Sequence, residues 1–317
     1  MKKILITLSL LIIGFTSYSQ EQLQPLKYYK VVFHIIRTSA GTIETEGVET
    51  YIQKILKFTN DKFIGANIQF YMCGINYIDD DLYYNHDPGR NSVLSKIFND
   101  TSAINVYLCN SMTDHFGYPG WGYASSPSIS SEKITDFIVI RHYTEIVTIT
   151  HEFGHFFGLY HTHENYIPEL VNGSNCSVAG DYHCDTPADP DLKYERYVDE
   201  NCNYTGTMVD ALGDPYRPDT SLIMSYARHK CRTRFSNDQF GAIRYWADRI
   251  ERDCYSHTHT FEDVSITTNQ DINEDVILIK DTKIENNAEV KLKSCAFVEI
   301  SGDSEVKLGS TLDIRIE

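Results

Sequence analysis

The sequence predicts a mixed α/β (α+β) globular domain followed by a small all-β module, on three observations. Up to residue 163, β-branched runs alternate with helix-period stretches and end in a histidine-rich helix. From 164 to 222 that periodicity dissolves into Gly, Pro and Asp. Beyond about residue 256 the composition shifts. None of the 22 tyrosines lies after Tyr255, and Val, Ile, Lys and Glu alternate instead.

The chain opens with "MKKILITLSLLIIGFTSYSQ". Lys2 and Lys3 precede an apolar run from Ile4 to Phe15 that is too short to span a bilayer comfortably, and Ser17 and Ser19 give a small-x-small cleavage pattern. Residues 1–19 read as a signal peptide cut before Gln20, and no later segment is apolar enough to be transmembrane. The expected location is therefore outside the cytoplasm: extracellular, cell surface or periplasm. The whole chain carries 28 Lys+Arg against 44 Asp+Glu, a formal charge of −16. Removing Lys2 and Lys3 leaves 26 against 44, or −18. Such a surface repels nucleic acid and anionic membranes, which excludes both as expected partners.

A catalytic domain over 20–256 is built as follows. "YYKVVFHIIRT" (28–38) reads as a buried first strand. "VETYIQKILKFTNDKFIGAN" places Ile52, Ile55, Leu56, Thr59 and Phe63 on one helical face. "NIQFYMCGINYI" (67–78), "SAINVYLCNS" (102–111) and "ITDFIVIRHY" (134–143) read as further strands, and "GYPGWGYASSP" (117–127) as an extended or looping segment. After the irregular stretch, "SNDQFGAIRYWADRIERDC" (236–254) begins with a Ser236–Gln239 capping box and sets Phe240, Ile243, Ala247 and Ile250 on one face. The β module occupies 262–317, with "SHTHTF" as its linker. Its "AEVKLKSCAFVEI" (288–300) echoes "SEVKLGSTLDIRI" (304–316) at a 16-residue offset, which suggests a small stack of β-coils or a little sandwich.

Export makes disulfides the default reading of the eight cysteines. Cys176, Cys184, Cys202 and Cys231 cluster after the histidine motif, in a region rich in Gly, Pro and Asp that would gain from staples. Cys73 and Cys109 each end a strand-like run and could pair with each other. Cys254 and Cys295 are left over, and the connectivity stays open.

The chemistry concentrates in "THEFGHFFGLYHTH" (150–163), which holds four of the 12 histidines. His151 and His155, four residues apart, project from one helical face and can share a zinc ion. Glu152 is rotated away from direct ligation but sits near a metal-bound water, where a general base belongs. A helix cannot deliver His161 as the third ligand unless the chain turns, and Gly158 tolerates the positive φ that the turn needs. Three histidines and one open position describe a catalytic zinc. His163 fits no ligand position and is expected at the surface.

"HEFGHFFGLYH" resembles the long zinc motif of the metzincin metallopeptidases. With "GDYHCDTPADP" (180–190) and "SLIMSYARHKCRTRFSNDQ" (221–239), the chain looks like the pappalysin family over roughly residues 30–255. That resemblance implies a metzincin-like fold with a mixed sheet, an active-site helix and a Met-turn. Met224 would floor the zinc site, and Tyr226 would stabilise the oxyanion. "GYASSP" would be the edge strand against which an extended protein or peptide substrate pairs. The four clustered cysteines would supply two disulfides around the primed side of the cleft. It also implies Ca²⁺, with Asp181, Asp185 and Asp189 as its ligands. Some relatives carry an aspartate five residues after the Met-turn methionine and cut before Arg or Lys. Here His229 stands at that place, so neutral or acidic residues are expected after the cut bond, especially below the histidine's pKa.

Two other readings stay open: a zinc hydrolase acting on a non-peptide amide or ester, and a secreted zinc-dependent adhesin working through its β module. An intact Glu152 argues against the second, since a binder needs no base. The module itself reads either as a stabilising spacer or as a surface-attachment element.

Overall fold

The computed structural model describes residues 26–43, 47–113, 117–125, 137–164, 167–192, 197–249 and 258–316. The expected signal peptide, Ile250 and Cys254 lie outside them.

The first half comprises β1 (Lys27–Arg37), α1 (Val48–Phe63), β2 (Ile68–Asp79), α2 (Asp81–Tyr84), β3 (Asn85–His86), α3 (Asn91–Phe98), β4 (Ile104–Cys109), β5 (Ser111–Met112), β6 (Gly122–Ala124), β7 (Phe137–Arg141) and α4 (Ile146–Phe156). Five of the strands form a mixed sheet in the order β2-β1-β4-β7-β6. β1, β2, β4 and β7 run parallel, and β6 closes one edge antiparallel to β7. The central strands are apolar along almost their whole length because both faces are covered. On one face pack α1 and α4. α1 buries Ile52, Ile55, Leu56, Thr59 and Phe63, the stripe that its spacing predicts. On the other face Tyr83, Tyr84 and Leu94 from α2 and α3 cover Ile36, Tyr107 and Val139.

Between α4 and α5 (Asn237–Arg249) the described chain is mostly turns, tied by Cys176–Cys184 and Cys202–Cys231. The capping box that starts α5 is reciprocal. Ser236 N donates to Gln239 Oε1 at 3.0 Å, and Gln239 N donates to Ser236 Oγ at 3.1 Å. Ile243 and Ala247 of α5 are buried against the core, and Phe240 is partly so.

The C-terminal part is a three-turn parallel β-coil. β8 (Thr258–Glu262), β11 (Val276–Lys280) and β14 (Phe297–Ser301) stack in one sheet; β9 (Ser265–Ile266), β12 (Lys283–Ile284) and β15 (Glu305–Val306) in a second; β10 (Gln270–Asn273), β13 (Glu289–Ser294) and β16 (Thr311–Ile316) in a third. Thr258 and Phe261, read as linker, belong to the first strand of this coil. The 16-residue echo is not the stacking period. Val276 sits on Phe297 and Glu289 on Thr311, so turns repeat at steps near 20 residues. The echoed segments fall on different sides of the coil, β13 and β15, because apolar/polar alternation suits any side and therefore sets no register.

The coil abuts the β2 edge of the main sheet, where Tyr28 and Tyr71 pack on Val276 and Phe297. Here the expected Cys73–Cys109 pair is corrected: Cys73 of β2 bonds Cys295 of the coil. Cys109 is a free thiol buried in β4, two strands from β2 and thus roughly 10 Å away, beyond disulfide reach. Among the described residues, no helix is long and apolar enough to cross a membrane.

Candidate active site and metal centre

α4 carries His151, Glu152 and His155 along its buried face and ends at Phe156. Gly158 then adopts φ +81°. A side chain there would run into the Trp246 indole of α5, so the turn needs both the backbone freedom and the missing Cβ. The reversal brings His161 back to α4. The three imidazoles converge: His155 Nε2 lies 3.0 Å from both His151 Nε2 and His161 Nε2. They form a group of the kind that holds a metal ion.

The ring orientations are fixed from behind. His151 Nδ1 donates to the Ile223 carbonyl at 2.8 Å, and His155 Nδ1 donates to the Leu159 carbonyl at 2.7 Å. Glu164 Oε2 stands 3.5 Å from His161 Nδ1. With Nδ1 protonated, each Nε2 offers a lone pair to the centre. Burial holds the His151 pKa well below its ordinary value and brings His155 down to about 3, so both are neutral ligands. Three lone pairs at this spacing repel one another unless a cation sits among them, and all-imidazole donors suit zinc.

Glu152 points into the cleft beside this centre. Burial pushes its carboxyl up to about 8, with Arg232 pulling the other way. β6 closes over it: a Cβ at Gly122 would lie 3.1 Å from Glu152 Oε1. Tyr226 brings its ring to 4.6 Å from that of His161. Burial pushes its hydroxyl up to about 12, which keeps it a proton donor at neutral pH. Met224 is fully buried, and its Sδ would meet a Cβ at Gly154 at 2.5 Å. Asp189 ties the His161 turn to the Met224 turn, as its Oδ2 accepts from Thr162 Oγ1 at 2.6 Å and Ser225 Oγ at 3.0 Å.

Several expected placements differ. His163 is buried, not superficial, stacked against His161 and 4.4 Å from the Tyr226 ring. Asp181, Asp185 and Asp189 do not converge on one point. Asp181 takes Thr186 and Gln239, Asp185 accepts from Asp238 N at the start of α5, and Asp189 is the strut just described. An acidic group that feels both Asp181 and Asp189 is Glu169, which the sequence reading passed over. Its Oε2 would lie 2.5 Å from a Cβ at Gly180, and burial with the charges of those two aspartates pushes it up to about 7. His229 lines the cleft but is exposed, and the buried cation beside it is Arg232. The signal for Arg232 was present as four Lys/Arg within residues 228–234 of an acidic chain.

Comparison with known proteins agrees with this geometry. A family model described as metallo-peptidase family M12 matches residues 36–191. An extracellular metalloprotease of Colletotrichum graminicola is 28% identical over 232 residues, covering 68% of this chain and 75% of that protein. One from Neurospora crassa is 26% identical over 174 residues, 50% of this chain and 55% of that protein. Among solved structures, mirolysin in complex with a compound superposes with a TM-score of 0.52 at 18% identity, over 70% of this chain and 91% of its own. Tannerella forsythia mature mirolysin in complex with a cleaved peptide gives 0.50 at the same identity and coverage. The likeness to mirolysin shows the fold, a mixed α/β metalloprotease fold. The chain carries a metallopeptidase domain.

Proposed function

We propose that this metallopeptidase is a secreted zinc endopeptidase of the pappalysin group, cutting extended polypeptides with Glu152 as general base. The observation that carries the reading is the convergence of three Nε2 atoms, each imidazole held from behind, next to a buried carboxylate. The pappalysin assignment is supported by the three sequence blocks in order, "HEFGHFFGLYH", "GDYHCDTPADP" and "SLIMSYARHKCRTRF".

His151, His155 and His161 would hold the zinc, which would supply Lewis-acid polarisation of the scissile carbonyl and acidify a nearby water. Glu152 takes the water's proton and returns it to the leaving amine. Tyr226 donates its hydroxyl proton in a hydrogen bond to the carbonyl oxygen as charge develops there. β6 offers its outer edge to the substrate backbone, and Tyr123 anchors that strand from the far face through Asn91 and His86. Met224 fixes the floor beneath α4.

We assign residues 1–19 to a signal peptide, the catalytic domain to 20–256, and the module to the β-coil that follows. The disulfide and aromatic packing at the β2 edge favour a bracing role for the coil. Calcium fits best between Glu169 and Asp181, where burial raises both carboxyls, rather than at Asp185.

The test compares purified mature protein with Glu152→Ala on unfolded casein, with zinc content measured and a chelator arm. Cleavage by the parent alone, abolished by chelation, is expected. If both bind one zinc and neither cuts casein or a diverse peptide library, the peptidase reading falls.

A further inference from the structure

Two cavities lie along the cleft, one lined by His155, His161 and the whole of β6, the other beginning at Trp121 just before that strand. The first, of about 510 Å³, lies by Ala124, Leu159 and Tyr160. The second, of about 740 Å³, lies by Trp121, Val147, Ala227 and Arg232. A peptide that pairs antiparallel to β6, the geometry with the stronger ladder, runs opposite to Gly122–Ala124. Its C-terminal half therefore passes Trp121 at the start of β6. The larger cavity receives the side chain that follows the cut bond.

In a chain of charge −16 this cavity is basic. At its mouth, Arg228 and Lys230 are both paired with Glu200, Arg228 at 2.9 Å, so neither is the interior charge. Glu145 is exposed at the rim. Arg232 differs from all of these. It is 5% exposed, and its Nε has no hydrogen-bond partner. Nη1 lies 3.4 Å from the Ser225 carbonyl and Nη2 lies 3.3 Å from Thr148 Oγ1, both at the long limit of a hydrogen bond. No described carboxylate comes within ion-pair distance of it. Burial pulls its pKa only to about 10, so it is a cation at neutral pH. A buried guanidinium with this many unspent donors costs free energy until an acceptor arrives, and the acceptor that matches its planar fork is a carboxylate.

We propose that Arg232 is the specificity residue of this cavity and selects Glu or Asp at the position after the cut bond. The proposal rests on the peptidase reading above and names its substrate class. His229 stays at the exposed rim of the same cavity, so acid selection does not wait on protonation of a histidine. A large apolar or basic residue in the cavity would leave the guanidinium desolvated and unpaired.

A peptide library randomised around a fixed core, digested by the zinc-loaded protein and read by mass spectrometry, tests this. Cuts should concentrate before Glu and Asp, with kcat/KM about 30-fold above the matched Leu peptide. Arg232→Met should bring the Glu-to-Leu ratio of kcat/KM down to about one, whatever happens to the absolute rate, because Arg232 also acts on Glu152. As a check that needs no variant, a dipeptide with amino-terminal Glu should inhibit the parent more strongly than its Leu counterpart. Four results overturn the proposal: no enrichment of acidic residues after the cut, enrichment only before it, equal inhibition by the two dipeptides, or an Arg232→Met protein that folds and loses both activities alike. In the last case Arg232 merely tunes Glu152. Failure to cut any peptide at all would instead remove the peptidase reading, and this proposal with it.

Discussion

Met224 lies so close beneath Gly154 that a Cβ on the glycine would sit 2.5 Å from the methionine sulfur. The contact helps seat α4 on the turn at 221–226. So does the His151 Nδ1 hydrogen bond to the Ile223 carbonyl. The turn thus sets both the depth of the helix and the rotation of its first histidine. Gly154→Ala must push a fully buried methionine aside. The expected cost is about 1–3 kcal/mol of stability, with weakened zinc binding. Urea unfolding together with a zinc titration checks this; unchanged zinc affinity would show that the floor does not position the histidines.

Gly158→Ala should be more damaging, since it combines φ +81° with a collision against the Trp246 indole. His161 would then lose its approach to the other two imidazoles. The variant is expected to fold less stably by about 2 kcal/mol or more and to bind zinc poorly. Gly158→Ala combined with Trp246→Ala should recover part of the stability but not all of it, because the backbone strain stays. Full recovery would mean that the indole clash alone explains the glycine.

Much of this architecture was legible because it is local. The α1 stripe, the Ser236–Gln239 box and the three-histidine spacing are set by residues within a few turns of one another, where helical geometry decides which side chains meet. What was not legible depends on partners far along the chain. Cys73 and Cys295 are 222 residues apart, and only the docked coil brings them together. Cys109 looked equivalent to Cys73 because both end apolar runs, yet one strand is central and the other an edge. Glu169 and Arg232 gain their character from burial against distant carboxylates and carbonyls. Asp185 looked like a ligand but caps the start of α5, an ordinary use of aspartate. His163 was misplaced because its neighbours His161 and Tyr226 lie 65 positions apart in sequence.

The crowding of Glu169 with Asp181 and Asp189 gives a pH signature. Burial, followed by the two aspartate charges, raises the Glu169 pKa in the folded state from its ordinary value near 4.5 to about 7. A raised carboxyl pKa means the folded state prefers the protonated form. Its contribution is complete below the unfolded value and is lost as pH rises toward 7. In chelator, stability should therefore fall between pH 4.5 and 7.5 by up to about 3 kcal/mol from this group. Glu169→Gln should flatten that slope, and added Ca²⁺ should reverse it in the parent but not in the variant. A slope indifferent to both changes would place the repulsion, and the calcium, elsewhere.

Cys73–Cys295 crosses from the β2 edge to the coil, beside the Tyr71 hydroxyl that donates to Asp275 Oδ2 at 3.1 Å. The three-histidine centre lies at the opposite edge, next to β6. Replacing both cysteines with alanine should lower stability by about 2–4 kcal/mol, in line with closing so long a loop. Initial cleavage rates at ambient temperature should stay close to the parent's, because the bridge lies at the β2 edge and the cleft, among the described residues, at the β6 edge. Calorimetry should show the coil melting ahead of the catalytic domain in the variant. A single transition at the parental temperature would mean that the aromatic packing of Tyr28 and Tyr71 on Val276 and Phe297 suffices to hold the coil. A loss of initial rate would mean that the coil braces the whole sheet as far as β6.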